Sequence, residues 1–191
     1  INENWPPMDY VDQKGLPRGI GTDFIRAIAR RLPSRFEIVP GPWSKIYGDV
    51  AAGRLDALTG ITPRLDRRPL FNFTDPYVAI PHVIFTRFES PYISGIVDLV
   101  GKSVAIEGSF FLAGILKRSY PSVRVLEYDS TLAALDAVSE GRVDAYVGNR
   151  VVALNLIQSE LLLNLREQSV ISETSSINAI GVRKDWPLLH S

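Results

Sequence analysis

The chain contains no cysteine, which removes disulfides, thiol nucleophiles and thiolate metal sites at once. Histidine is nearly as scarce. His82 and His190 are too few and too far apart for an ordinary zinc site, so each reads as structural or solvent-facing. No apolar run approaches the ~18 residues of a membrane-spanning helix, and no signal peptide opens the chain. Charge of either sign is not in excess: 21 Lys and Arg balance 21 Asp and Glu. No net field draws the protein to nucleic acid or to an acidic membrane surface. Low-complexity segments are absent, and nothing in the sequence calls for a metal or a cofactor.

What remains is the composition of an ordinary globular protein, 46% hydrophobic and 22% charged over 191 residues. That length suits one domain or two small lobes with real cores. Helical and extended patterns alternate. "TDFIRAIARRL" places Phe24, Ala27, Ile28 and Leu32 on one helical face, with Pro33 as a stop. "FEIV" (36–39) reads as a strand. "SKIYGDVAAG" reads as a helix capped by Ser44, with Ile46, Val50 and Ala51 inward and Gly53 at its close. "LDALTGI" follows as a buried strand. The second half repeats the order: strand "KSVAI", helix "FFLAGILKRS", strand "VRVL", helix "STLAALDAVSEG" and strand "VDAYVG".

One phrase occurs twice: "GRLDALTG" at 53–60 and "GRVDAYVGN" at 141–149. Each marks a helix that ends at a glycine and turns directly into a buried strand. Strands alternating with helices predict parallel sheets with right-handed crossovers. Two matched series predict two α/β lobes, residues 1–85 plus 181–191 and residues 86–180. The Pro-rich stretch 75–92 crosses between them and 176–185 crosses back, a two-strand hinge on which the lobes open and shut. Ligands of open α/β sheets bind beyond the carboxyl ends of strands. Thr59, Gly60, Ile61 and Thr62 in the first lobe, with Gly148 and Asn149 in the second, are therefore candidates, and facing lobes would enclose a ligand between these edges.

Five segments in register, "WPPMDYVDQKGLPRGIGTDFIRAIARRL", "GRLDALTGITPRLDRRPLFNFTDPYV", "LVGKSVAIEGSFF", "GRVDAYVGNRVVA" and "GVRKDWPLL", resemble the extracellular solute-binding proteins of family 3. The resemblance covers nearly the whole chain and implies the type II periplasmic-binding-protein fold, or Venus flytrap. It implies that Arg67, six residues before Phe73, grips a ligand carboxylate. A planar guanidinium offers two parallel donors matched to that group, although by itself Arg67 is one of several arginines in "PRLDRR". The resemblance further places an aromatic cover at Trp5, donors at Gly60 and Thr62, and a second aromatic at Trp43. It also places an anion-binding helix start at Ser109 and Phe110.

Two departures from the family pattern bear on the ligand. Asn149 stands where amino-acid binders generally have an Asp for the ligand's ammonium, and Arg64 stands where Thr is common. A carboxylate without an amine, or a dicarboxylate, is then as compatible as an amino acid. The family's usual strand before "WPP" and long helix after "DWPLL" are missing, which implies an excised domain with flanking segments. The same look is common in sensor domains fused to histidine kinases. The expectation is therefore an extracytoplasmic sensor domain, part of an inner-membrane protein and homodimeric at full length, that closes on a small anionic or zwitterionic ligand. It touches the membrane only through its flanks. The rival is a free periplasmic binding protein of an ABC transporter. A dehydratase-like enzyme is the third reading; it would need an acid or base in the cleft, and Glu107 and Asp75 are the carboxylates within reach, both more simply structural.

Overall fold

The computed structural model describes residues 1–33, 35–108 and 110–186. The chain divides into two compact units: Ile1–Ala79 with Ile177–Ser191, and Ile80–Ser176. The first unit opens with a small antiparallel sheet of β1 (Asn4–Trp5), β2 (Asp9–Val11) and β3 (Pro17–Arg18). Helices α1 (Ile20–Ala29) and α2 (Trp43–Ala51) follow, then β4 (Ala57–Ile61) and β5 (Phe71–Phe73). Strand β6 (Val78–Arg87) begins in this unit and runs into the second. There a 3-10 turn (Ile96–Leu99) precedes β7 (Ser103–Glu107), α3 (Phe111–Ser119), β8 (Arg124–Tyr128) and α4 (Thr131–Ser139). Then come β9 (Ala145–Asn149), α5 (Arg150–Ser159) and the long β10 (Leu165–Arg183), whose last residues return to the first unit.

In the first unit the apolar face of α2, Ile46 and Val50, packs on Leu58 and Ile61 of β4 and Phe71 of β5. Gly53 closes α2 in the left-handed conformation at φ 72°, its N–H bonding the Val50 carbonyl at 3.0 Å. Several expectations need correction. The helix starts at Trp43, not at a Ser44 cap, because Pro42 at φ −57° already holds the entry turn. Helix α1 stops at Ala29 and leaves Leu32 49% exposed, so the apolar stripe is one turn shorter than its sequence period. "FEIV" forms no ladder; beside it the chain makes only an isolated parallel bridge, Asn2 to Gly41. That bridge is the first unit's one parallel pairing among the described residues, since β4 and β5 both run antiparallel to β10. The parallel sheet predicted from the βα alternation belongs to the second unit.

The second unit's sheet has the order β10-β6-β9-β7-β8, with β7 parallel to β8 and β9 and with β6 antiparallel to β9. Side chains alternate between its faces with the strand period of two. Ile84, Val104, Ile106, Ala145 and Val147 meet α3 (Leu112, Ala113, Leu116) on one face. Val83, Phe85, Ala105 and Tyr146 meet α4 (Ala134, Leu135, Val138) on the other. Ser130 caps α4 by accepting from the Ala133 N–H at 3.1 Å, and Gly141 ends it at φ 76°.

The units change within β6, between residues 79 and 80, and within β10, between 176 and 177. The sequence placed these boundaries at 85/86 and 180/181. Pairing accounts for the difference: β6 lies against β9 from His82 onward, and β10 lies against β4 and β5 from Ala179 onward.

Candidate functional site

Three arginines crowd the turn after β4, and their surroundings separate them. Arg64 Nε donates to Asp66 at 2.9 Å, and Arg68 is exposed. Arg67 is partly buried; its Nη1 donates to the Thr62 carbonyl at 3.1 Å and its guanidinium lies 5.8 Å from the centre of the Tyr47 ring. Among the described residues no carboxylate comes within ion-pair distance of it. Burial pulls its pKa down, yet a guanidinium stays charged. The cation is thus held by a carbonyl and an aromatic face, with donors left over.

Tyr47 gives that arrangement its rigidity. Its ring meets Phe71 edge-on at 5.0 Å and Trp43 at 6.0 Å. Trp43 therefore stands one ring behind Arg67, partly buried against the core. Trp5 lies over Gly60, where a Cβ would come within 2.9 Å of the indole; Gly60 also has φ 67°. The Gly60 N–H, expected as a free donor, instead bonds the Tyr77 hydroxyl at 2.9 Å, and Tyr77 packs on Phe24 at 4.7 Å. Thr62 serves Arg67 through its carbonyl.

Beneath this surface lies a carboxylate that sequence reasoning did not single out. Asp9, 1% exposed, accepts from Thr22 at 2.9 Å and from Thr59 at 2.5 Å. Burial pushes its pKa up against those two hydroxyls. Asn178, also 1% exposed, has a side-chain amide with no hydrogen-bond partner among the described residues, while its backbone carbonyl accepts from the Tyr77 N–H at 3.0 Å.

In the second unit β7 feeds α3 on one face and β8 feeds α4 on the other, so the order in which strands are added reverses between the parallel neighbours β7 and β9. Such a switch point is where open α/β sheets bind ligands. Glu107 ends β7 and Asn149 ends β9. Asn149 Oδ1 accepts from the Val151 and Val152 N–H groups at 3.1 and 3.2 Å and so caps α5. Its Nδ2 is buried and has no partner among the described residues. Glu107 is partly buried and accepts from the Thr131 hydroxyl at 2.6 Å; burial raises its pKa.

Phe110 precedes α3 and meets the His82 ring edge-on at 5.2 Å. His82, wholly buried, has Nδ1 and Nε2 each 2.9 Å from a hydroxyl, of Thr174 and Ser176. Burial lowers its pKa to about 4. This is the structural histidine the sequence suggested. Ser109 and His190 lie outside the described residues. Asp75 is exposed, and its carbonyl accepts from Thr74 at 2.9 Å. Among the described residues no group of three or more His, Asp or Glu could hold a metal, and no helix is long and apolar enough to cross a membrane.

Tyr47 could have been found from the sequence, since it stands four residues after Trp43 on the same helical face. Thr131, Tyr146 and Asn178 carried no such signal.

The family model for bacterial extracellular solute-binding proteins, family 3, matches residues 1–191. The amino-acid-binding protein AabA of Dichelobacter nodosus is 32% identical over 201 residues, which cover 96% of this chain and 75% of that protein. The chain spans 61% of the length of PatH of Vibrio harveyi and 64% of YxeM of Bacillus subtilis. Among solved structures, a histidine kinase sensor domain with similarity to periplasmic binding proteins superposes with a TM-score of 0.88 at 29% identity, covering 96% of this chain and 80% of that one. Holo ArgBP of T. maritima gives 0.79 at 28%, covering 96% and 80%. The chain belongs to the bacterial extracellular solute-binding proteins of family 3, and its fold is that of the type II periplasmic binding proteins.

Proposed function

We propose that the chain is an extracytoplasmic sensor domain of a transmembrane signalling protein, which closes on a small carboxylate or amino-acid-like ligand and signals to a fused histidine kinase. Arg67 carries the reading: a partly buried guanidinium over the Tyr47 ring, with no carboxylate within ion-pair distance among the described residues. Stripping a cation of water without pairing it costs several kcal/mol, which a ligand carboxylate would offset. Contacts made only in the closed state drive closure, and the signal cannot exceed that difference in affinity. The likeness to a kinase sensor domain supports the output side.

The second reading is a free binding protein feeding an ABC transporter, favoured by PatH, whose name ties it to amino-acid ABC transport. The full gene separates the two: a transmembrane helix after the domain supports the sensor, a lone cleavable signal the transporter. A thermal-shift screen of amino acids, dicarboxylates and keto acids, repeated on Arg67→Ala, tests the site itself. Any strong hit should lose affinity ~30-fold or more in the variant. An undiminished shift removes Arg67 from the site.

A further inference from the structure

We propose that Glu107 is the cation-recognising group of the second unit, taking the ammonium or guanidinium of the ligand in place of the carboxylate that Asn149 does not supply. The inference deepens the ligand-binding reading and rests on it.

Two other acidic side chains show what a structural carboxylate looks like in this molecule. Asp144, in the same unit, accepts from both the N–H and the hydroxyl of Ser103, at 2.7 and 2.6 Å, and these bonds hold its pKa below the usual range. Asp9 has a hydroxyl on each oxygen. Glu107 is more deeply set than Asp144, yet among the described residues its side chain has a single bond, from Thr131 to Oε2. Among the described residues Oε1 has none, and no Lys, Arg or His comes within ion-pair distance. A carboxylate can accept about four hydrogen bonds, so most of this one's capacity is unused.

The surroundings hold it in that state. Thr131 is itself 5% exposed, at the start of α4. Tyr146 is 1% exposed and fixed between β9 and α4. The Thr131 hydroxyl orients Glu107 from behind without neutralising it. The second, independent observation is the buried Asn149 Nδ2 at the end of the neighbouring strand, a donor with no acceptor. Its identity is settled, because Oδ1 is the atom bonded by two N–H groups of α5. One edge of the sheet thus offers an unused acceptor of negative charge and an unused donor. A ligand end that bears an amine beside a carbonyl or carboxylate satisfies both; an amine-free acid satisfies only the second.

The test is calorimetric titration of the chain with the twenty common amino acids, putrescine and succinate, on wild type, Glu107→Gln, Glu107→Asp and Arg67→Ala. Glutamine keeps an acceptor for Thr131, removes the charge and turns the second oxygen into an NH2 donor. Glu107→Gln should weaken any amine-bearing probe at least 30-fold and leave succinate binding unchanged or tighter. Glu107→Asp, checked for folding by its thermal melt, should recover part of the loss. Amine-bearing probes bound equally by wild type and Glu107→Gln overturn the proposal, as does a wild type that binds only succinate. Neither outcome touches Arg67. If Arg67→Ala binds as wild type does, the carboxylate reading fails instead. A wild type that binds nothing in the panel sinks both.

Discussion

The phrase Gly-Arg-x-Asp-Ala is written once in each unit, and the two copies fold alike and bond differently. Both glycines sit in the left-handed conformation and both close a helix. In both, the last residue of a long crossing strand is an arginine that lies against the glycine: Arg183 of β10 against Gly53, and Arg87 of β6 against Gly141. In the second unit Arg87 donates to the Val138 and Val143 carbonyls at 2.7 and 2.9 Å, which ties off the end of α4. In the first, Arg183 instead forks onto Asp185 at 2.7 and 2.8 Å and reaches Asp56 at 3.3 Å, near the surface. The aspartates diverge for a reason of topology. Asp144 precedes β9, which has β7 beside it to supply Ser103; Asp56 precedes β4, which ends its sheet and has no neighbour on that side. A repeated phrase therefore encodes the turn, while the neighbours decide what its charges do.

The comparison can be broken by paired substitutions. Arg87→Ala removes a charged donor from the Val138 and Val143 carbonyls, of which Val138 keeps the Gly141 N–H, and should cost about 1.5–3 kcal/mol of unfolding stability, whereas Arg183→Ala should lower the melting temperature far less because its ion pairs are solvated. Equal losses would refute the asymmetry. Among the described residues His82 has no counterpart in the first unit. Below pH 6.5 the unfolded chain takes up a proton that folded His82 refuses until about pH 4. Stability should therefore fall by up to roughly 3 kcal/mol as the pH drops through that window. Denaturant melts of His82→Gln should lack that slope. Asp144→Ala removes the acceptor of the Ser103 N–H and should cost about 1–3 kcal/mol, Asp56→Ala much less. The smallest contrast is expected between Gly53→Ala and Gly141→Ala. Each places a side chain in the left-handed region, at about 1–2 kcal/mol, and the two should agree within a few tenths.

The helix–glycine–strand turns were legible because their signals are local: a cap, an apolar period, a residue free to adopt positive φ. The antiparallel edges of the first unit were not, since which strand lies beside β4 depends on a segment more than 100 residues away. The candidate site divides the same way. The sequence could name Arg67 by resemblance, but not distinguish its solitude from the pairing of Arg64 with Asp66, which only packing reveals. The sequence names Glu107 as a carboxylate within reach of the cleft but reads it as structural, because being short of partners is a property of surroundings and not of spacing.

Strand β10 runs unbroken over Leu165–Arg183, with one register shift near Gly181. Its residues Thr174 and Ser176 serve His82, and Arg183 serves Asp56. Side chains of a strand change face with every residue, so one added or deleted amino acid upstream of Thr174 would turn all three the wrong way together. For anyone splicing a fluorescent reporter into this protein, that strand is closed ground, and the exposed turn before it, at Glu160 and Leu161, is the place to cut.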